Sequence, residues 1–226
     1  MEPTGETDRR PEGRGEDDES GSGFGRILAL SDGVFAIALT LLVLEIAVPR
    51  GTSGSGLGRA LLHLWPKGFA YFLSFAIIGR FWVAHHLAFR YIARFDFRLI
   101  WLNLILLFFV AFLPFPMEVL GQFGAHSIAA VFYASSVAAA SAASAAVWWY
   151  ASGRGRLLRS GVDPALVRLA RIRSFSGAPF FLLTIPVALA SSYAAMALWT
   201  LGFPALRLLI SVRHRPRDPR EPREPR

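Results

Sequence analysis

Six stretches of about 20 largely apolar residues recur along the chain, each long enough to cross the hydrocarbon core of a bilayer. They run from about Arg26 to Val48, Trp65 to Phe89, Leu99 to Leu120, Ala125 to Tyr150, Phe175 to Ala190 and Tyr193 to Leu209. A backbone surrounded by lipid must satisfy its own hydrogen bonds, so runs of this length are helices. The expected fold is an all-α integral membrane protein with six transmembrane helices per subunit. The last two runs meet at Ser191-Ser192 and could instead form one re-entrant pair.

Both ends of the chain read differently. Residues 1–24 hold eight acids against three arginines, and residues 213–226 hold six arginines against three acids with a proline at every third position from Pro216. Neither has apolar periodicity, so both read as disordered tails, flanking a membrane domain over 25–212. The middle of the chain keeps only five acids: Asp32, Glu45, Asp96, Glu118 and Asp163.

The net charge of +8 would suggest nucleic acid in a soluble protein. Here the bases between the tails fall mostly between the apolar runs, as expected for loops facing anionic head groups, so no nucleic-acid partner is expected. Arg90, Arg94 and Arg98 lie between runs two and three, and six arginines from Arg154 to Arg173 lie between runs four and five. The opposite side has only Arg50, Arg59 and Lys67. This bias places both termini in the cytoplasm of a multi-pass cell-membrane protein. The chain has no cysteine, which excludes disulfides, thiolate metal sites and cysteine nucleophiles. No clustered nucleophile or metal set is visible, so neither an enzyme nor a cofactor is expected. The acidic start does not resemble a secretory signal peptide.

The Ala/Ser-rich run Ala134–Ser144 is suited to close helix packing. Trp148, Trp149 and Tyr150 after it read as an interfacial aromatic belt. Ionisable residues inside a span are usually paired or functional. Counted at 1.5 Å per residue, Asp32 lies about 9 Å inside the first span, His85 and His86 about 5 Å before the end of the second, and Asn103 about 6 Å into the third. With Ser31 these residues share a layer near the cytoplasmic face, and His85 or His86 is the expected partner of Asp32. The layer reads either as a polar clasp joining three helices or as a proton relay or ion site. The clasp is favoured, because a carrier places its site nearer the midplane. Arg80 lies deeper, with Asp32 or a watery crevice as its expected neighbour.

In the first span Ile37, Leu41 and Leu44 are spaced four and three apart and form one stripe. On periodicity alone the stripe reads as lipid contact. No segment resembles the Thr-Val-Gly-Tyr-Gly filter loop of ordinary potassium channels.

The stretch from Arg26 through Leu30-Ser31-Asp32-Gly33-Val34-Phe35-Ala36-Ile37 to Glu45 resembles the first-helix signature of the transmembrane protein 175 potassium channel family, Arg-x-x-x-Phe-Ser-Asp followed by Gly-Val-Phe-Ala-Ile. Leu30 stands where the family has Phe. Trp65-Pro66-Lys67, Phe81-Trp82 leading to His85-His86, and Trp101-Leu102-Asn103 through Phe112-Leu113-Pro114-Phe115 extend the similarity across three spans; Arg80 departs from the pattern. The resemblance implies a six-helix subunit that assembles as a homotetramer around a central pore permeable to potassium ions. It implies an apolar constriction made by Ile37, Leu41 and Leu44, with Thr40 supplying a hydroxyl, and assigns Arg26, Ser31 and Asp32 to packing and hydrogen bonding around the pore. A proton-coupled secondary transporter using Asp32, His85 and His86 is the alternative.

Overall fold

The computed structural model describes residues 14–47, 54–153 and 157–213, with side chains from residue 23 onward. The tail residues 1–13 and 214–226, and the loop residues Arg50, Arg154 and Arg156, lie outside the described residues. Helix α1 (Arg14–Leu44) begins upstream of the boundary drawn at residue 25. Acidic residues are favoured in the opening turns of a helix, where the macrodipole is positive, and residues 16–19 are all acidic.

Among the described residues six helical stretches are long and apolar enough to span a membrane: Gly23–Leu44, Trp65–Tyr91, Phe97–Phe123, Ser127–Ser152, Pro164–Ala190 and Ser192–Arg213. The first belongs to α1. A 3₁₀ turn, Gly54–Gly56, and the short α2 (Leu57–His63) lead to α3 (Trp65–Tyr91), which starts on Pro66 where no N–H is needed. The third span is two helices, α4 (Phe97–Phe112) and α5 (Pro114–Phe123). It breaks at Leu113 because Pro114 cannot donate to the preceding turn. Asp96 caps α4 by accepting from the Leu99 amide at 2.8 Å.

Helix α6 (Ser127–Ser152) is the hub, packed on α4, α5 and the fifth span. Its alanines and serines are mostly buried, as the small-residue pattern predicts. The aromatic belt expected at its end divides. Trp149 is exposed, whereas Trp148 is buried against Tyr91, and Tyr150 turns in to donate to Asp96. Adjacent residues on a helix point about 100° apart, so three in a row cannot all face lipid.

The fifth span is α7 (Pro164–Phe175), α8 (Gly177–Leu183) and α9 (Ile185–Ala190), and the sixth is α10 (Ser192–Ala197), a π turn over Leu198–Gly202, and α11 (Phe203–Arg213). Ser191 caps α10 through the Ala194 amide. Each span is of crossing length, which favours two passes over a re-entrant pair. Thr184 at the α8–α9 break is buried; it donates to the Phe181 carbonyl and accepts from Trp199 Nε1 at 2.8 Å. That bond ties the fifth span to the π turn of the sixth.

The two arginine-rich loops meet. Ala93 N–H donates to the Leu157 carbonyl at 2.7 Å and Arg159 N–H to the Tyr91 carbonyl at 2.8 Å. The loops after the second and fourth spans therefore lie on one side of the molecule, as the charge count requires.

Candidate functional site: the first helix and its polar clasp

One face of α1 packs and the other does not. Ser31, Phe35, Ala38 and Leu42, spaced four, three and four apart, are at most 1% exposed and meet α3, α4 and α5. On the other side Leu30, Gly33, Ile37, Thr40, Leu41 and Leu44 form a continuous exposed stripe. Ile37 is 59% exposed, Leu41 41% and Leu44 69%. The Thr40 hydroxyl donates to the carbonyl of Ile37 at 2.9 Å, leaving its oxygen lone pairs turned outward. Val43 and Ala36 flank the stripe and are also exposed.

The polar layer holds α1 by its packed face. Ser31 Oγ donates to the carbonyl of Ile27 at 2.9 Å and so presents a lone pair to its neighbour. Asn103 Nδ2 fills it at 3.0 Å. With the amide turned that way, Asn103 Oδ1 faces His85 Nε2 at 2.9 Å, which fixes the hydrogen on Nε2. The three side chains come from α1, α4 and α3, and all are buried. His85 also stacks on Phe89 and packs against Phe35. The chain of bonds terminates on a backbone carbonyl, so it secures helices but leads a proton nowhere.

Asp32 is not part of this chain. Its Oδ1 accepts from Trp82 Nε1 at 2.9 Å, in place of the histidine expected from depth alone. Asp32 lies about 100° round the helix from Ser31, which takes it out of reach of the buried layer. His86 is exposed and packs against the Trp82 ring. Trp82, His85 and His86 sit three and four residues apart on α3, and this spacing could have identified Trp82 from the sequence. Arg26 is exposed at the start of the α1 stripe. Arg80 does not reach Asp32; its guanidinium lies 4.3 Å from the ring centroid of Phe203 in the sixth span.

Glu45, one residue beyond the first span, marks the other end of the stripe. Partial burial there and the neighbouring Glu118 carboxylate push its pKa above the usual carboxylate value, while Lys67 pulls it down. Glu118 in turn accepts from Gln122 at 2.7 Å. Among the described residues no group of three or more His, Asp or Glu could hold a metal ion.

The family model for the endosomal/lysosomal potassium channel TMEM175 matches residues 26–114, the stretch that carries both the stripe and the clasp. A potassium channel of Streptomyces collinus is 38% identical over 177 residues, which cover 76% of this chain and 86% of that protein. A potassium channel of Chamaesiphon minutus is 43% identical over 144 residues, 62% of this chain and 71% of that protein. The crystal structure of a lysosomal potassium-selective channel TMEM175 homolog from Chamaesiphon minutus matches with a TM-score of 0.73 at 33% identity, covering 86% of this chain and all of that one. The chain, with its six membrane-spanning helices and its Ser31–Asn103–His85 clasp behind the first of them, belongs to the TMEM175 family.

Proposed function

We propose that the protein is a potassium-permeable channel whose pore is lined by the exposed stripe of α1, with Ile37, Leu41 and Leu44 as the constriction and Thr40 as the hydroxyl beside it. The observation that carries this reading is the division of α1. Its packed face is closed by α3, α4 and α5, whereas the stripe has no partner among the described residues of the subunit. A second argument comes from charge: Asp32 is exposed inside a span, and an ionisable residue there belongs beside water rather than lipid. Four copies of the stripe around an axis would form a water-accessible lumen with an apolar neck. Such a neck closes by dewetting, because water and ions leave a narrow greasy ring. Potassium sheds its water at lower cost than sodium, so a tight dehydrating neck favours potassium.

In this reading the subunit is a homotetramer in the cell membrane with both termini cytoplasmic, the side to which the loop arginines point. It needs no cofactor, and it transports rather than catalyses. A proton-coupled carrier is a weaker fit. The buried polar chain ends on the Ile27 carbonyl, and Asp32 and His86 pair with Trp82 instead of with each other.

Potassium and sodium flux into liposomes containing purified protein tests the proposal, with wild type beside Ile37→Asn. Passive flux that favours potassium, enlarged by Ile37→Asn because a polar ring holds water, is the expected result. Uptake that requires a pH gradient and vanishes in Asp32→Asn would replace the channel by the carrier.

A further inference from the structure

A second site lies among the other spans, away from the α1 stripe. α3, α6, α7 and α11 line an open crevice of about 300 Å³ on the arginine-rich side of the molecule. Arg80 of α3, Arg173 of α7 and Arg207 of α11 all line it, and among the described residues no acidic one does. Three guanidiniums without a carboxylate in a membrane-embedded crevice are costly. The protein answers only part of that cost. Arg80 and Arg207 lie over the ring of Phe203, at 4.3 and 5.5 Å, and Arg207 donates to the backbone carbonyl of Arg173.

Two further donors are unanswered. Arg80 Nε is buried with no hydrogen-bond partner among the described residues, and so is Nε1 of Trp148, a lining residue that is only 3% exposed. Unmet buried donors carry a desolvation penalty, and here they border the same space as three cations. This donor set is one that an anion with several acceptor oxygens would satisfy, and arginine forks match phosphate geometry. The remaining walls are apolar, supplied by Leu87, Leu166 and Leu169 among others. The cavity extends from Tyr91, the last residue of α3, to Arg80, about 16 Å further along the helix at 1.5 Å per residue. An apolar crevice leading from a helix end to two half-buried arginines and an exposed one fits an amphiphile better than a free ion.

We infer that this cavity binds the phosphate head group of an anionic phospholipid from the leaflet on the arginine-rich side, its acyl chains lying along the apolar walls. The assignment of that leaflet to the cytoplasmic face rests on the orientation proposed above; the site itself does not. Head-group binding would join the second span, which carries the His85 clasp, to the fifth and sixth spans through a shared anion. Basic pockets between helices on this side of a membrane are suited to such lipids.

The test reads binding rather than flux, so a failure of the channel reading would leave it intact. Delipidated protein in detergent is titrated with phosphatidylglycerol, phosphatidylcholine or inorganic phosphate, and bound species are counted by native mass spectrometry. Phosphatidylglycerol should bind about tenfold more tightly than phosphatidylcholine, and Arg173→Gln should weaken it by about fivefold. Arg173 is exposed, so this substitution leaves the packed helices alone, and Arg80→Gln provides the half-buried counterpart. Equal binding of the two lipids would overturn the inference, as would wild-type affinity in both variants. Inorganic phosphate that displaces phosphatidylglycerol at millimolar concentration would overturn the lipid as the source of the anion.

Discussion

Single side chains in this protein act mainly through the groups they would leave unpaired. Asn103 satisfies both Ser31 and His85 in a buried layer. Asn103→Ala therefore strands His85 Nε2 and leaves Ser31 only its bond to the Ile27 carbonyl. Side-chain hydrogen bonds between membrane helices average about 0.6 kcal/mol, while a stranded buried polar group costs about 1–3 kcal/mol. The second effect should dominate, and the variant should lose about 1–2 kcal/mol in denaturant unfolding of the detergent-solubilised protein. Stability equal to wild type would mean that the layer contributes little to holding α1. Glu45 makes a prediction about pH. Its pKa is raised in the folded protein, so the folded state binds the proton more tightly than the unfolded chain does. That contribution to stability is present at low pH and lost as pH rises through the carboxylate range and the raised folded value. Glu45→Gln should flatten this part of the melting-temperature profile and raise stability at neutral pH. Parallel profiles for the two proteins would show that Glu45 is not the group responsible.

Elements in this fold owe their shape to the residues at their breaks. The fifth span bends at Ser176 and Thr184, and the second bend presents a buried hydroxyl to Trp199. At the first bend Gly177 lets α8 approach α6 closely: a Cβ built there would lie 2.9 Å from Ser141 Oγ and 3.0 Å from its Cβ. A branched side chain has no room, so Gly177→Val should destabilise the protein by about 1–3 kcal/mol, as overpacking does. Thermal unfolding followed by size exclusion measures this, and an unshifted midpoint would show that α8 can retreat at no cost. At Gly202 the constraint is softer, because the nearest atom to an added Cβ, Leu198 Cδ1 at 2.8 Å, is the end of a flexible side chain that can turn away.

For the whole molecule the expected assembly is four copies of the 24.9 kDa chain. The chain has no cysteine, so single introduced cysteines report proximity without background. Leu44 and Leu183 are about equally exposed, at 69% and 76%, on α1 and α8 respectively. If the α1 stripe surrounds an axis, Leu44→Cys should crosslink between copies under oxidation while Leu183→Cys does not. Crosslinking from Leu183→Cys alone would place the fifth span at the centre and move the pore away from α1.

The sequence by itself determined the number of spans, because lipid forces each long apolar run to satisfy its own backbone bonds as a helix. It determined the packing role of the small residues in α6, and it brought Ser31, His85 and Asn103 to one depth, since rise per residue is fixed. Their partners were decided by the tertiary structure. Depth made Asp32 and the histidines equivalent, but rotation about the helix axis sent Ser31 inward to Asn103 and Asp32 outward to Trp82. The same rotation buried Trp148 while its neighbour Trp149 stayed at the surface. Arg80 was legible only as a costly charge without a partner at its depth. Phe203, more than 120 residues away along the chain, and the arginine cavity around it come into reach only when the sixth span folds back against the second.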